Sequence, residues 1–229
     1  MQDEVRVLCE ELIMTGAYVA RAGLVAGGSG NISVKASLAD SGRTAQDMII
    51  ITGRGSQLAN LSFSDLAITL ADGSIGRAEL QELSAQPSSE LPMHRAVYDA
   101  RPDVAAIIHT HSPQATAAAA CHLTIPAFLD ELTFMIGGHI ATSEYAPPGS
   151  VELGANIVKA LGDRQAALIA NHGAIAVGST LSESMKVAVV CEEAARVYAI
   201  ARGLGGPMSI PESALERQKA GFRRRKGLI

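Results

Sequence analysis

The sequence predicts one α/β domain, and three observations carry that prediction. Apolar, β-branched runs alternate with amphipathic helical stretches from one end of the chain to the other. No linker is long enough to divide residues 1–229, and no internal repeat is visible. Of the 229 residues, 48% are hydrophobic and 18% charged, enough for one sizeable core and far too apolar for a disordered chain.

The elements follow in order. Val5, Leu8, Leu12, Ile13 and Val19 recur at helical spacing with charged residues between them, which predicts an amphipathic helix to about Ala22, closed by Gly23 and Gly27-Gly28. A loop–strand unit, Gly28 to Lys35, comes next, its last residues alternating polar and apolar. Met48 to Ile51 is a short buried strand ending at Thr52-Gly53, and Ser64-Asp65-Leu66 and Ala71 to Ser74 are turns between short strands. The loop Gln86 to Ser89 leads into a helix from Glu90 to Ala100, with Ser88 or Ser89 as the capping residue, broken by Arg101-Pro102-Asp103. Val104 to His109 is a buried strand and Pro113 to Ala120 an alanine-rich helix. A further strand, Ala166 to Ala170, runs into Asn171-His172-Gly173. Leu181 to Ala201 has the spacing of a long helix, closed by Gly203, Gly205, Gly206 and Pro207. The basic cluster Arg223 to Lys226 is a solvated end or a tail that folds over a neighbouring subunit's site.

Composition removes several classes of function. A net charge of −4, from 19 basic and 23 acidic residues, provides no global field to hold nucleic acid. Aromatic residues are only 3% and Trp is absent, which leaves no stacking platform for bases. The acidic and basic residues among the first eleven exclude a signal-peptide apolar region, and the longest apolar runs are too short to span a bilayer. Cys9, Cys121 and Cys191 are odd in number and widely spaced, unlike a disulfide framework, so the expected setting is a reducing one, the cytoplasm.

The sharpest chemical feature is His109-Thr110-His111 at the end of an apolar strand. Residues two apart on a strand point to one face, so both imidazoles can address one point. Such a pair is either a transition-metal half-site or two satisfied, partly buried histidines. His172 stands at the end of another apolar strand, and three histidines would converge if the two strands are neighbours. Glu90, at the start of its helix, is either a general base beside a metal or a carboxylate complementing the helix dipole. His94 lies one turn further on the same face and reads as a packing or hydrogen-bonding residue; His122 and His139 read as surface or structural. The loops Gly28 to Ser33, Thr52 to Ser56 and Ser88-Ser89 are small and polar, which is what a phosphate needs, though each alone is also an ordinary turn. The first of them is no dinucleotide fingerprint, and no P-loop triplet is present.

Taken together, Gly30-Asn31-Ile32-Ser33, Thr52-Gly53, Pro87-Ser88-Ser89-Glu90 with His94, His109-Thr110-His111 and Asn171-His172-Gly173 resemble the class II aldolase/adducin family, in family order and across most of the chain. The resemblance implies a three-layer α/β/α domain with a central, mainly antiparallel sheet, assembled as a homotetramer. It implies a divalent metal, usually Zn2+ and alternatively Mn2+ or Co2+, on His109, His111 and His172, with Glu90 as acid/base residue able to touch the metal. Phosphate would be held by the residues matching Asn31, Thr52, Gly53, Ser88 and Ser89, with Gly30 shaping the first loop. The implied activity is cleavage of a small ketose 1-phosphate to dihydroxyacetone phosphate and an aldehyde. Decarboxylation, 4-epimerisation or dehydration on the same scaffold is the alternative, and a non-catalytic adducin-like module has no evident need for these ligands. One departure stands out. Family aldolases place a tyrosine from the neighbouring subunit after the Ile-Pro-Ala motif, whereas Ile125-Pro126-Ala127 is followed by Phe128 to Phe134 without one. Asp130, Glu131 and Tyr145 are the candidates for its role.

Overall fold

Strand β4, Ala106–Thr110, is buried along its whole length, and the architecture is built outward from it. The computed structural model describes residues 2–38, 46–70 and 82–229. β4 pairs antiparallel on one side with β1, Asn31–Leu38, and on the other with β6, Gly173–Gly178. β2, Gln46–Thr52, β3, Leu66–Leu70, and β5, Ala166–Ile169, complete a six-stranded sheet of order β3-β2-β1-β4-β6-β5 in which every strand pairing is antiparallel.

Both faces of this sheet are apolar and each has its own core. On one face Ile32, Ile50, Ile108 and Leu168 pack against α1, Gln2–Arg21, α3, Pro113–Ala120, and α5, Leu181–Gly203. On the other Ile51, Ile107, Ile169, Ile175 and Val177 pack against α2, Leu91–Ala100, and α4, Val151–Leu161. Burial on both faces explains why the strands read as continuous apolar runs rather than as alternating ones. The three-layer α/β/α arrangement with an antiparallel sheet is thus borne out.

Several sequence expectations need correction. The strand predicted from Val104 starts at Ala106, because Val104 N donates to Arg101 O and closes the turn after α2. Leu66, read as part of a turn, opens β3, and Ala71 to Ser74 lies outside the described residues. α4 was not expected; its N-cap Ser150 accepts a hydrogen bond from Leu153 N, and Gly154, a poor helix former, is needed because a Cβ there would lie 2.8 Å from Ala96 of α2. β6 was also missed, since Gly-Ala-Ile-Ala-Val-Gly carries no polar alternation.

The basic tail keeps its three arginines exposed, as a solvated end would. It is the last turn of a sixth helix, α6, Glu212–Arg225, where cations favour the helix dipole. Phe222 is buried against Gly137, Arg223 Nε meets Asp163 Oδ2 at 2.8 Å, Arg225 donates to Phe134 O, and Lys226 pairs with Glu183. Among the described residues no helix is long and apolar enough to cross a membrane, and the three cysteines are free.

Gly173 opens β6 at its closest approach to β4. A Cβ there would collide with Thr110 O and lie 3.3 Å from His109 Cε1. Gly173→Ala is therefore expected to destabilise the protein by about 2 kcal/mol through overpacking, lowering Tm by roughly 4–8 °C. Differential scanning calorimetry checks this, and an unchanged Tm would refute the close approach.

Candidate active site

Three ends meet above one edge of the sheet. β1 starts where β4 finishes, in a register that puts Asn31 opposite His109. β6 starts one position beyond, with Thr110 opposite Ala174, and His172 sits in the tight turn before it. Asn171 makes that turn at φ 56°, a conformation asparagine tolerates, and its Oδ1 meets His122 Nε2 at 2.7 Å. His122 is itself at φ 52° and is exposed. On the far side of β4, Pro113 opens α3 without a side-chain cap of its own, and Glu192 of α5 accepts from Gln114 N and Ala115 N instead. That carboxylate anchors the chain three and four residues after His111.

The three predicted ligands converge. The rings of His109, His111 and His172 form a triangle with 4.8 Å between each pair of centroids, and His109 Nε2 is 3.0 Å from His111 Nε2. Glu90 closes the group, with Oε2 3.1 Å from His109 Nε2 and Oε1 3.3 Å from His172 Nε2. Tetrahedral zinc with bonds of about 2.05 Å would separate its ligand nitrogens by roughly 3.3 Å. The donor chemistry fits a cation for a second reason. His109 Nδ1 lies 3.0 Å from Ala174 O, which can only accept, so in the neutral ring Nε2 carries a lone pair facing other lone pairs. Such a cluster needs a positive charge at its centre. The three histidines can hold a divalent metal, with ligand atoms all within 4.8 Å of one another.

Electrostatics agree. Burial, then the charges of His109 and His172, push His111 down to about 4 against the pull of Glu90. Burial and the charge of His109 lower His172 as well. Both rings are neutral at neutral pH, the form that binds metal. For Glu90 burial acts upward, but His109 and His172 when protonated, by hydrogen bond and charge from the first and by charge from the second, together with the Asn31 hydrogen bond, outweigh it and hold the carboxyl well below its usual range.

Glu90 does not start α2 as expected: it is the N-cap residue, and the helix begins at Leu91. Ser88 and Ser89 therefore do not cap. Ser88 Oγ instead accepts from Glu90 N, and Ser89 is exposed. The three small polar loops do come together: Ile32 N donates to Thr52 Oγ1, Ser88 N to Thr52 O, and Arg54 N to Gln86 O. Gly53 N is already committed to Asp65 O. Gly30, at φ 76°, admits no side chain, because a Cβ would lie 2.7 Å from His109 O. Asn31 has turned inward: Nδ2 donates to Glu90 Oε2 at 2.7 Å and Oδ1 meets His94 Nε2. The tie between Asn31 and Glu90 had no sequence signal, since the two are 59 positions apart. Arg54, the one cation in these loops, was likewise overlooked; it is exposed. Asp130 accepts from Gln218, Glu131 precedes a π-helical turn at Leu132–Ile136, and Tyr145 is 59% exposed. Among the described residues none of these three hydrogen-bonds to Glu90 or to the imidazoles.

The fold agrees with that of known proteins. Residues 10–199 match the family described as "Class II Aldolase and Adducin N-terminal domain". The 5-methylthioribulose-1-phosphate/5-deoxyribulose-1-phosphate aldolase of Rhodospirillum rubrum is 34% identical over 206 residues, 90% of this chain and 86% of its own. The 5-deoxy-D-ribulose 1-phosphate aldolase of Bacillus thuringiensis is 31% identical over 207 residues, 90% of this chain and 91% of its own. A solved L-fuculose 1-phosphate aldolase superposes with a TM-score of 0.83 at 29% identity, over 94% of this chain and 96% of that one. The chain belongs to the class II aldolase and adducin family. Within it these three relatives are aldolases acting on phosphorylated sugars, and the chain is an enzyme of the aldolase type.

Two outcomes follow. His111→Ala is expected to lose stoichiometric metal while keeping its circular dichroism spectrum; a purified variant with full metal content by plasma emission would remove His111 from the ligand set. The pH dependence has a definite sign. In the metal-free protein His111 stays neutral to about 4, whereas the unfolded chain takes up that proton from 6.5 downward. The unfolded state thus binds more protons across this window, and stability falls as pH drops from 6.5 to about 4. Urea denaturation of the metal-free protein across that range should show it, with a shallower slope for His111→Ala.

Proposed function

We propose that the protein is a zinc-dependent aldolase that cleaves a small ketose 1-phosphate to dihydroxyacetone phosphate and an aldehyde. The observation that carries this reading is the Glu90 carboxylate facing three imidazoles in one buried cluster. Zn2+ held by His109, His111 and His172 would supply a Lewis acid for the carbonyl and hydroxyl oxygens of the sugar, a role other divalent ions such as Mn2+ or Co2+ could fill. Glu90 returns a proton to the carbon freed when the carbon–carbon bond breaks, and removes it in the reverse direction. It is 8% exposed, so this proton moves where water is largely excluded.

The phosphate takes the loops of Gly30, Asn31, Thr52, Gly53, Ser88 and Ser89. Asn31 keeps one amide hydrogen beyond the one given to Glu90, the Ser89 hydroxyl is open, and Arg54 adds positive charge at the rim. Holding the phosphate away from the reacting carbon fixes the register of the sugar. The two relatives quoted with 5-deoxyribulose phosphates in their names, and the absence of tyrosine from Phe128 to Phe134, favour a sugar whose released aldehyde is short and apolar. Such an aldehyde needs little polar recognition beyond one group that takes the hydroxyl proton as the carbon–carbon bond breaks and returns it to the aldehyde oxygen in the reverse direction. That group comes from a second copy of the chain in a homotetramer, since Asp130, Glu131 and Tyr145 stand apart from the imidazoles here.

The test is release of dihydroxyacetone phosphate from a panel of ketose 1-phosphates, including 5-deoxyribulose and fuculose 1-phosphates, by zinc-loaded protein beside a chelator-treated control. Metal-dependent release, fastest with the 5-deoxy sugar, is expected; no release from any sugar by protein shown to hold zinc would overturn the reading. Glu90→Gln should keep its metal and lose about 100-fold or more in turnover. Light scattering should give the mass of four chains.

A further inference from the structure

The carboxylate of Glu90 is the visible end of a longer buried assembly that the proposed reaction does not by itself require. Its Oε2 accepts from Asn31 Nδ2 at 2.7 Å. Asn31 Oδ1 meets His94 Nε2 at 2.5 Å, His94 Nδ1 meets Ser33 Oγ at 2.7 Å, and Ser33 Oγ meets Tyr98 Oη at 2.7 Å. His94 and Ser33 are fully buried, Tyr98 is 3% exposed and Asn31 5%. Glu90 Oε1 is also buried but accepts no hydrogen bond from the described residues.

The directions of these bonds follow from valence. A carboxylate accepts only, so Asn31 must present its amide nitrogen to Glu90 and its carbonyl oxygen to His94. His94 Nε2 therefore carries the ring hydrogen. Burial, then the charge of His109, lowers His94 to about 3 against the pull of Glu90, so the ring is neutral and Nδ1 must accept. The Ser33 hydroxyl then donates to His94 and accepts from Tyr98, whose phenol is kept protonated by burial. Every hydrogen points one way, from Tyr98 toward Glu90.

Matching periods build this chain. Glu90, His94 and Tyr98 are spaced by four on one face of α2 and its cap, a rise of about 6 Å per step. Asn31 and Ser33 are spaced by two on β1, about 6.7 Å apart, on the sheet face that α2 covers. The helix and strand thus offer polar groups in step, beside the apolar side chains of Met93, Val97 and Ile107 that fill the rest of that layer. Apolar residues could pack these positions with no hydrogen bonds to satisfy, so their polarity serves something other than cohesion.

We propose that Asn31, His94, Ser33 and Tyr98 are positioning residues: a one-directional hydrogen-bond chain that ties down Oε2 of Glu90 and presents Oε1 as the atom that exchanges the substrate proton. The role of Oε1 rests on the aldolase reading above; the tie on Oε2 does not.

Two measurements on the full-length protein separate these. The first is deuterium exchange from solvent at the hydroxymethyl carbon of dihydroxyacetone phosphate alone, followed by proton NMR on zinc-loaded protein. His94→Leu is expected to lower the exchange kcat about 100-fold while KM and zinc content change less than about twofold. His94→Gln, which can still donate to Asn31, should recover at least about tenfold of that loss. A merely structural role would lower zinc content or raise KM, or give no recovery with Gln, and any of these overturns the proposal, as does normal exchange by His94→Leu. The second needs no activity: nitrogen-15 NMR of labelled histidine, with crystal structures of wild type and His94→Leu. A single Nε2–H tautomer of His94 from pH 6 to 9, and a Glu90 side chain that leaves its place in the variant, support the chain. An Nδ1–H tautomer or an unmoved Glu90 overturns it. Wild-type protein that holds zinc yet shows neither exchange nor cleavage would end the aldolase reading, and the second measurement would still decide the chain.

Discussion

The antiparallel seating of β4 between β1 and β6 is the constraint on which the rest of the site depends. Register in an antiparallel pair admits no small adjustment, because a slip of one residue moves every side chain to the opposite face. With Asn31 opposite His109 and Thr110 opposite Ala174, polar groups from three distant stretches of chain reach one point on the α2 side of the sheet. Two glycines let the backbones close in. Gly30 and Gly173 each stand where a Cβ would strike a carbonyl of β4, and both adjoin a residue of the cluster. Rigid strands and tight turns hold the imidazoles more narrowly than loops could, which a metal-binding geometry requires.

The acidic member arrives by a different route. Glu90 is carried by the cap of α2, where its backbone N–H is turned back onto Ser88 and its side chain is free of capping duty. A carboxylate at a helix N-terminus is favoured by the dipole, and this one is also surrounded by ring nitrogens and an amide. Burial alone would neutralise it, so the Asn31 donor and the imidazoles are what keep it ionised. The same layer is otherwise apolar. The polar chain from Tyr98 to Asn31 therefore stands out as a directed insertion into a hydrophobic interface, with a direction set by the Glu90 carboxylate at its end, which can only accept.

The opposite face of the sheet has a supporting role. α5 lies along it, and Glu192 reaches across to hold the start of α3 just beyond His111. α6 closes over the π-helical turn at Leu132–Ile136, its cations bound to Asp163, Glu183 and a main-chain carbonyl. The basic tail thereby changes meaning. In the sequence it is a charge cluster; in the fold it is the end of a helix whose one apolar anchor, Phe222, fills the space left by Gly137.

The sequence by itself determined the class of fold, most of the helices and the residues to watch. Periodicity is a local property, so α1, α3 and α5 and the strands rich in isoleucine could be read directly. So could the pair His109 and His111, because a spacing of two on a strand already implies one face. β6 and α4 escaped because their glycine- and alanine-rich segments are stabilised by close backbone contact with neighbours far along the chain, which no local pattern records. Only the tertiary structure decided that His172 joins the pair, that Glu90 faces it, and that Asn31 turns inward to Glu90 and His94. These relations depend on strand order, register and the height of α2 above the sheet, and are set by the packing of residues some sixty positions apart.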